Sequence, residues 1–497
     1  MKFDKYIIVA FVVIIAIGVS LVLSPIEGAA VIPILSFGFI LMGRPRILLF
    51  LYIGFLSVQP ILQNFGSTVI KRTDDLLAAL MWGLFFSLLA LRKINMDRIK
   101  KWWKFALMMI VYAAISFLLN RGTVRGAWQC VAIYLTFIPF FALIANYLRP
   151  SDFKPLLIAT ILFFFLNVIL NIGWLLHINP IPNHAWIFIA EHGYGSGYMD
   201  ASVGTFRSCA WVAYFCVFLL FLLFSLYRNI DLVGKKWKKR IFIVLIVLFI
   251  QLFGTFTNHA YFFFALAFIP FALLSKSWKV WHFILLSVVA IIGFNILIAV
   301  SEPFEKVFSN ENLAYRYEML NKSAKVQLFN DLLVENAKNN SIEWAVGVGP
   351  GNGMGPLGKS NLTPFALKML LSYYQSTDIR SMQMNSITGN TNSAVLTLWG
   401  DFGLTGTLFF ITLYGIAFKK ALTVVHSPTS SLQKRIIAEA LTGILPFFAL
   451  INITDDILYS VFLTAFIWLL IAFLYLPDKE ERPEEEKEEL LKITNES

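Results

Sequence analysis

The chain is 497 residues long, and 58% of it is hydrophobic and 16% aromatic against only 14% charged. With a mean hydropathy of +0.71, these proportions rule out a soluble globular domain and a disordered chain, and describe a protein whose solvent is largely lipid. The formal net charge of +11 is explained by where the basic residues fall.

Continuous apolar runs such as 241–253 lack the alternation of a barrel strand, and in lipid only helices or closed barrels satisfy their backbone groups. The expected class is an all-α, polytopic transmembrane helical bundle. At roughly 20 residues per crossing, the apolar runs between charge clusters predict about 14 spans, within a range of 12–14. In chain order they cover 6–24, 29–43, 47–64, 76–91, 105–120, 128–148, 156–176, 209–227, 241–257, 260–275, 281–300, 394–418, 437–453 and 457–476. The first is longer than the roughly 7–15 residues of a signal core, so it reads as a retained anchor.

With the N-terminus cytoplasmic, the loops holding Arg44 and Arg46, Arg92 to Lys104, Arg149 and Lys154, Arg228 to Arg240, Lys276 and Lys279, and Lys419 to Arg435 all lie inside. Together with both termini they hold 28 of the 41 Lys and Arg residues, as the positive-inside rule requires. The charge is thus a topology signal and a contact with anionic membrane lipids, and no nucleic-acid partner is expected. Trp102, Trp103 and Trp237 stand beside lysines at interface depth.

The runs Thr73-Asp74-Asp75 and Thr454-Asp455-Asp456 stand at span entrances and are expected to cap helix N-termini. Cys130, Cys209 and Cys216 lie in or beside apolar helices, with neither a disulfide framework nor a metal spacing. No period of roughly 20–50 residues repeats. Residues 1–476 read as one membrane domain with extracytoplasmic loops at 177–208 and 301–393, and 477–497 as an acidic cytoplasmic tail.

Those two loops are long enough to build a site. The first mixes Gly, Pro, His and aromatics, a composition suited to a partly re-entrant or surface-packed segment. Its His177, His184 and His192 have spacings that fit no single helical face, so no metal site is expected. The second is the one long polar insert. Leu320, Ala324, Leu328 and Leu332 predict an amphipathic helix over 315–337 that lies on the membrane or caps a cavity. The turn-rich GVGPGNGMGP at 347–356 breaks it, and 363–374 can form another short helix.

Arg207, in GTFRSCAW at the mouth of a span, and Arg316, opening the amphipathic helix, fall outside the positive-inside pattern. A guanidinium is the planar, always-charged group best matched to phosphate, so each is a candidate for binding a substrate phosphate. The alternative is a structural salt bridge with Glu318 or Asp200. Arg121 and Arg125 are candidates for the same contact, or interfacial side chains that snorkel. His259, in FTNHAYFF at a tight outside turn, is suited to proton transfer near neutral pH, or is a satisfied turn histidine.

GVGPGNGMGP, followed by NSAVLTLWGDFGLTGTLFF from Asn392, resembles the pattern of the O-antigen ligase and O-antigen (Wzy-type) polymerase superfamily of bacterial envelope glycosyltransferases. That pattern pairs a Gly-x-Gly-x-Gly-like turn in the large outside loop with His-Asn, a Glu nine residues after the His, and two glycines spaced by three as the next span begins. Gly347, Gly349 and Gly351 match the turn, Asp401 takes the place of Glu, and Gly403 and Gly406 match the glycine pair. Arg316 matches the family arginine upstream of the turn, and GTFRS a segment usually written around Gly-Thr-Phe. The resemblance covers roughly residues 195–476.

The chain also departs from the pattern. Asn392 stands where the family usually has its catalytic His, Arg207 follows Gly-Thr-Phe where the family arginine precedes it, and a family Ser-Arg reads Asn258-His259. An amide is no general base near neutral pH, but Asn392 can orient an acceptor hydroxyl or a phosphate. Nine helical residues turn about 900°, so Asn392 and Asp401 point to opposite sides if a helix already runs from 392, and Asp401 reads as a structural intramembrane acid.

The resemblance implies a polymerase that transfers a growing glycan from an undecaprenyl diphosphate carrier to a lipid-linked repeat unit. The reaction belongs at the outer face of the bacterial plasma membrane, with both termini cytoplasmic. On this reading Arg316 and Arg207 clamp the departing diphosphate, His259 accepts a proton and Asn392 orients the acceptor. Arg125, Arg121, Asp200, Gly349 and Gly351 border the substrate, and transfer proceeds with inversion, without metal or cofactor. Expected partners are the undecaprenyl-diphosphate-linked oligosaccharide, a glycan acceptor, membrane lipids and other polysaccharide-assembly proteins. The alternatives are a ligase that attaches the glycan to a lipid or cell-wall acceptor, a polysaccharide or lipid-glycan transporter or flippase, and a non-enzymatic assembly scaffold.

Overall fold

The computed structural model describes residues 45–62, 73–120, 130–175, 209–229, 235–255, 257–274, 338, 341–349, 393–455, 458 and 460–477. Among them are twelve α-helices and no strand: α1 (Pro45–Leu62), α2 (Thr73–Ala90), α3 (Lys100–Leu119), α4 (Phe137–Tyr147), α5 (Phe153–Leu175), α6 (Cys209–Arg228), α7 (Lys235–Gly254), α8 (Asn258–Leu274), α9 (Ser341–Val346), α10 (Ala394–His426), α11 (Leu432–Thr454) and α12 (Val461–Phe473). Every predicted span that falls on described residues is helical; those at 6–24, 29–43 and 281–300 lie outside them, as does the acidic tail beyond residue 477.

The helices overrun the apolar runs on their basic sides. α3 begins at Lys100 instead of 105, α7 at Lys235 instead of 241, and α10 continues through Lys419 and Lys420 to His426 instead of ending at 418. Hydropathy marks the depth of the lipid, whereas lysine is a good helix former and lets the helix continue into the headgroups.

α6 and α11 form the centre. Phe215, Phe218, Phe221, Leu441, Ile444 and Phe447 are fully buried, and α11 packs against α6, α8 and α10. A Cβ at Gly443 would run into the Phe221 ring, so glycine is what lets α6 and α11 approach. A second aromatic cluster joins α3, α4 and α12: Trp102 lies 3.9 Å from Phe141 and 5.7 Å from Trp468 between centroids, and Phe137 stacks on Trp468 at 4.4 Å. The outward rows, including Leu118, Leu119, Leu162, Ile250 and Leu273, are exposed in the protein alone and form the surface lipid would cover.

Chain direction gives the bundle two chemically distinct ends. At one stand Arg92, Lys93, Arg98, Lys100, Arg149, Arg228, Lys235, Lys419, Lys420, Lys434 and Arg435, around the starts of α3, α5, α7 and α11 and the ends of α2, α6 and α10. There Glu439 accepts from Ser225 at 2.9 Å and Asn229 at 3.1 Å and pairs with Arg228 at 3.4 Å, tying α6 to α11. Arg46 and Asp152 form an ion pair that ties α1 to the start of α5. At the other end are the starts of α6, α8, α10 and α12 and the ends of α3, α7 and α11.

Two predicted spans are interrupted near that other end. The span at 128–148 opens with a π-helical turn, Val131–Leu135, where Thr136 Oγ1 donates to Val131 O at 2.9 Å. In α10, Gly403 takes φ 64° and ψ −171° and kinks the helix. Such breaks in membrane helices survive only where other groups satisfy the backbone they release.

Candidate functional site

The Gly403 kink takes the carbonyls of Gly400 and Asp401 out of the normal helical ladder. The short helix α9 runs into a turn at Gly347–Gly349, and that turn supplies the missing donors: Val348 N donates to Gly400 O at 2.9 Å and Gly349 N to Asp401 O at 3.0 Å. Gly347 and Gly349 have φ of 80° and 97°, a left-handed backbone that side chains resist. A Cβ on Gly347 would lie 2.5 Å from both Asp401 O and Gly403 N, and one on Gly403 would collide with the Ala345 carbonyl. The two glycine motifs, far apart in sequence, are therefore one interlocked backbone feature.

Side chains complete the lock. The Tyr112 hydroxyl donates to Phe402 O at 2.7 Å and reaches Val346 O at 3.1 Å, so α3 holds the turn and the kink together. Trp399 Nε1 donates to Trp344 O at 3.1 Å. Asp401 is fully buried, and its carboxylate accepts from the Tyr134 hydroxyl at 2.9 Å, out of the π-helical turn. This is the environment of a structural intramembrane acid, held by an oriented donor in place of water.

A second group of polar side chains gathers at the same end. The Tyr214 hydroxyl, from α6, lies 2.6 Å from His259 Nε2 at the start of α8 and donates to Asp455 Oδ2 at the end of α11. His259 Nε2 is 3.7 Å from the same carboxylate oxygen. The imidazole side chain is 42% exposed and the carboxylate 18%, so the cluster opens outward from the bundle end.

Asp455 corrects an expectation. Its pair with Asp456 was expected to cap the N-terminus of the following helix, but Asp455 is the C-cap of α11, and the N-cap of α12 is Ser460, whose hydroxyl accepts from Leu463 N at 3.5 Å. A carboxylate at a helix C-terminus meets the unfavourable end of the macrodipole. The Tyr214 hydroxyl and the nearby imidazole offset that cost, and the Asp455 carbonyl accepts from Ala394 N at 3.0 Å, fixing the start of α10. The other acid run, Thr73-Asp74-Asp75, falls in the first turn of α2, which begins at Thr73.

Of the sequence-predicted site residues, Gly349 and His259 are described, in separate clusters at one end of the bundle. Arg207, Arg316, Asn392, Arg121, Arg125, Asp200 and Gly351 lie outside the described residues, as do the three loop histidines and the helices expected at 315–337 and 363–374. Sequence reasoning missed Tyr214, Tyr112 and Tyr134, and read Asp455 only as a helix cap. Each tyrosine is a phenol inside an apolar run, Tyr112 at the middle of 105–120, and helical spacing does not distinguish such a residue from a packed aromatic. Among the described residues no group of three or more His, Cys, Asp or Glu is gathered closely enough to hold a metal ion.

Four of the described helices are long and apolar enough to cross a membrane, and several shorter apolar ones accompany them, which is the build of a multi-pass membrane protein. Compared with protein-family models and with curated proteins, the chain matches none.

Proposed function

We propose that the chain is a metal-independent, inverting glycosyltransferase of the O-antigen polymerase type. It moves a growing glycan from an undecaprenyl diphosphate carrier to a lipid-linked repeat unit at the outer face of the bacterial plasma membrane. The observation that carries this reading is the docking of the Gly347–Gly349 turn onto the Gly403 kink. The two stretches that carry the resemblance lie far apart in sequence, and their meeting through backbone hydrogen bonds is what a shared site would require.

In this reading the bundle has about 14 spans, and the glycine turn at 347–349 ties its part of the polar insert to α10. Arg316 and Arg207 hold the diphosphate by bidentate, charge-assisted hydrogen bonds and stabilise the negative charge that grows as it leaves. The sugar passes through an oxocarbenium-like state and is attacked from the opposite face. Supplying a purified lipid-linked repeat alone tests the assignment: long chains on the same lipid are expected. Transfer only after a separate lipid or wall acceptor is added would instead identify a ligase.

One observation favours transport as a second reading: a broken membrane helix bearing a buried acid, Asp401, is a feature of transporters. Against it, the Gly400 and Asp401 carbonyls released by the break are taken up by the glycine turn and are not left facing a pathway. A transporter would move the lipid-linked glycan across sealed vesicles without lengthening it.

A further inference from the structure

The cluster at the outer end contains more than a turn histidine. An ionised carboxylate can only accept hydrogen bonds, so the single phenolic proton of Tyr214 goes to Asp455 Oδ2. The phenolic oxygen must then accept from His259 Nε2, 2.6 Å away, which assigns the ring proton of neutral His259 to Nε2. The lone pair is left on Nδ1, which has no hydrogen-bond partner among the described residues and belongs to a side chain that is 42% exposed. Three helices thus converge to fix the tautomer and direction of one accessible imidazole. Fastening α6 to α11 would need only the bond between Tyr214 and Asp455.

We propose that Asp455 and Tyr214 hold His259 so that its Nδ1 receives the proton of the attacking hydroxyl. The role rests on the glycosyltransferase reading. As the acceptor oxygen bonds to the anomeric carbon of the donor, the bond from that carbon to the diphosphate oxygen breaks and its electron pair leaves with the lipid diphosphate. The hydroxyl proton passes to Nδ1. The resulting imidazolium keeps its Nε2–H on the Tyr214 oxygen and gains the Asp455 carboxylate, 3.7 Å away, as its counter-charge. The proton is then released to solvent through the exposed side of the ring. The cluster adjoins the start of α10, where Ser393, the residue after Asn392 in sequence, donates through Oγ to Asn452 O, and Ala394 N donates to Asp455 O. It also lies on α6, whose first residue, Cys209, follows Arg207 by two positions.

His259 is assigned as the catalytic residue, and Tyr214 and Asp455 as positioning residues. The test uses the full-length chain in lipid nanodiscs with a purified undecaprenyl-diphosphate-linked repeat, comparing wild type with His259→Ala, Tyr214→Phe and Asp455→Asn. Thermal unfolding checks that each variant is folded. His259→Ala should lower kcat about a hundredfold with little change in KM, and added imidazole should restore part of it. Tyr214→Phe should lower kcat about tenfold at unchanged KM, and should remove the Nε2–H signature of His259 in NMR of its ring nitrogens. A folded His259→Ala variant with wild-type kcat, or one whose loss imidazole does not restore, overturns this role alone. An unchanged His259 tautomer in Tyr214→Phe overturns the positioning. A wild-type chain that leaves the repeat unextended overturns the glycosyltransferase reading and this role with it.

Discussion

A methyl group at Gly403 would have to occupy the space of the Ala345 carbonyl and the Gly347 nitrogen, on a backbone whose φ of 64° already disfavours a side chain. Neither obstacle is a flexible side-chain tip, so the strain cannot be relieved by a rotamer change. Replacing Gly403 or Gly347 with alanine should therefore cost about 1–3 kcal/mol or more, read as a lower unfolding midpoint in detergent. Gly415 is the control. It lies in the same helix with nothing within 4 Å of its would-be Cβ, and Gly415→Ala should leave the midpoint unchanged or raise it. Equal effects at Gly403 and Gly415 would mean that the close approach does not hold the helix. At this scale the sequence was informative about which glycines matter, because Gly347, Gly349, Gly403 and Gly406 stand in a motif. It was silent about why, since their steric partners are one another's backbones.

Between elements, the joint of α9, α10 and α3 depends on Tyr112, whose hydroxyl spans Phe402 O and Val346 O. Tyr112→Phe keeps the ring against Phe409, 5.5 Å between centroids, and removes only the hydrogen bonding. A net loss of about 0.5–1.5 kcal/mol predicts that amide exchange at Val348 and Gly349 accelerates about two- to tenfold, while exchange in α6 stays the same. Acceleration spread over the whole bundle would show that the joint is not a local unit. The elements themselves were largely legible in the sequence, since α6 and α10 begin at the residues where their apolar runs begin. Their irregularities were not. The π turn at Val131–Leu135 lies within an unbroken apolar stretch and the kink at Gly403 within a predicted span that carries Asp401, and hydropathy has no signal for a helix that changes its hydrogen-bonding pattern. Asp455 was misread because an acid between two spans is locally as consistent with the start of one as with the end of the other; Tyr214, which decides the matter, is distant in sequence.

For the molecule as a whole, the separation of basic residues from the Tyr214, His259 and Asp455 cluster predicts an orientation. Thr429, in the exposed connection between α10 and α11, lies at the basic end, and Ser341 opens α9 at the opposite end. Cys130 and Cys216 are buried, so in a Cys209→Ser background single cysteines can be read cleanly. Ser341→Cys should react with an impermeant maleimide on sealed right-side-out vesicles, and Thr429→Cys only after permeabilisation. The reverse pattern would place the glycine turn and His259 on the cytoplasmic side and exclude an extracytoplasmic reaction.

The most direct measurement is chain growth by the purified protein in nanodiscs. It would be supplied with an undecaprenyl-diphosphate-linked repeat and a metal chelator, with no energy source, and run beside Arg207→Ala and Arg316→Ala variants of matched unfolding midpoint. The proposed account predicts a ladder of lengthened lipid-linked glycans from the wild type and none from either variant. A repeat left at its original length by the wild type, or ladders of equal extent from all three proteins, would contradict it.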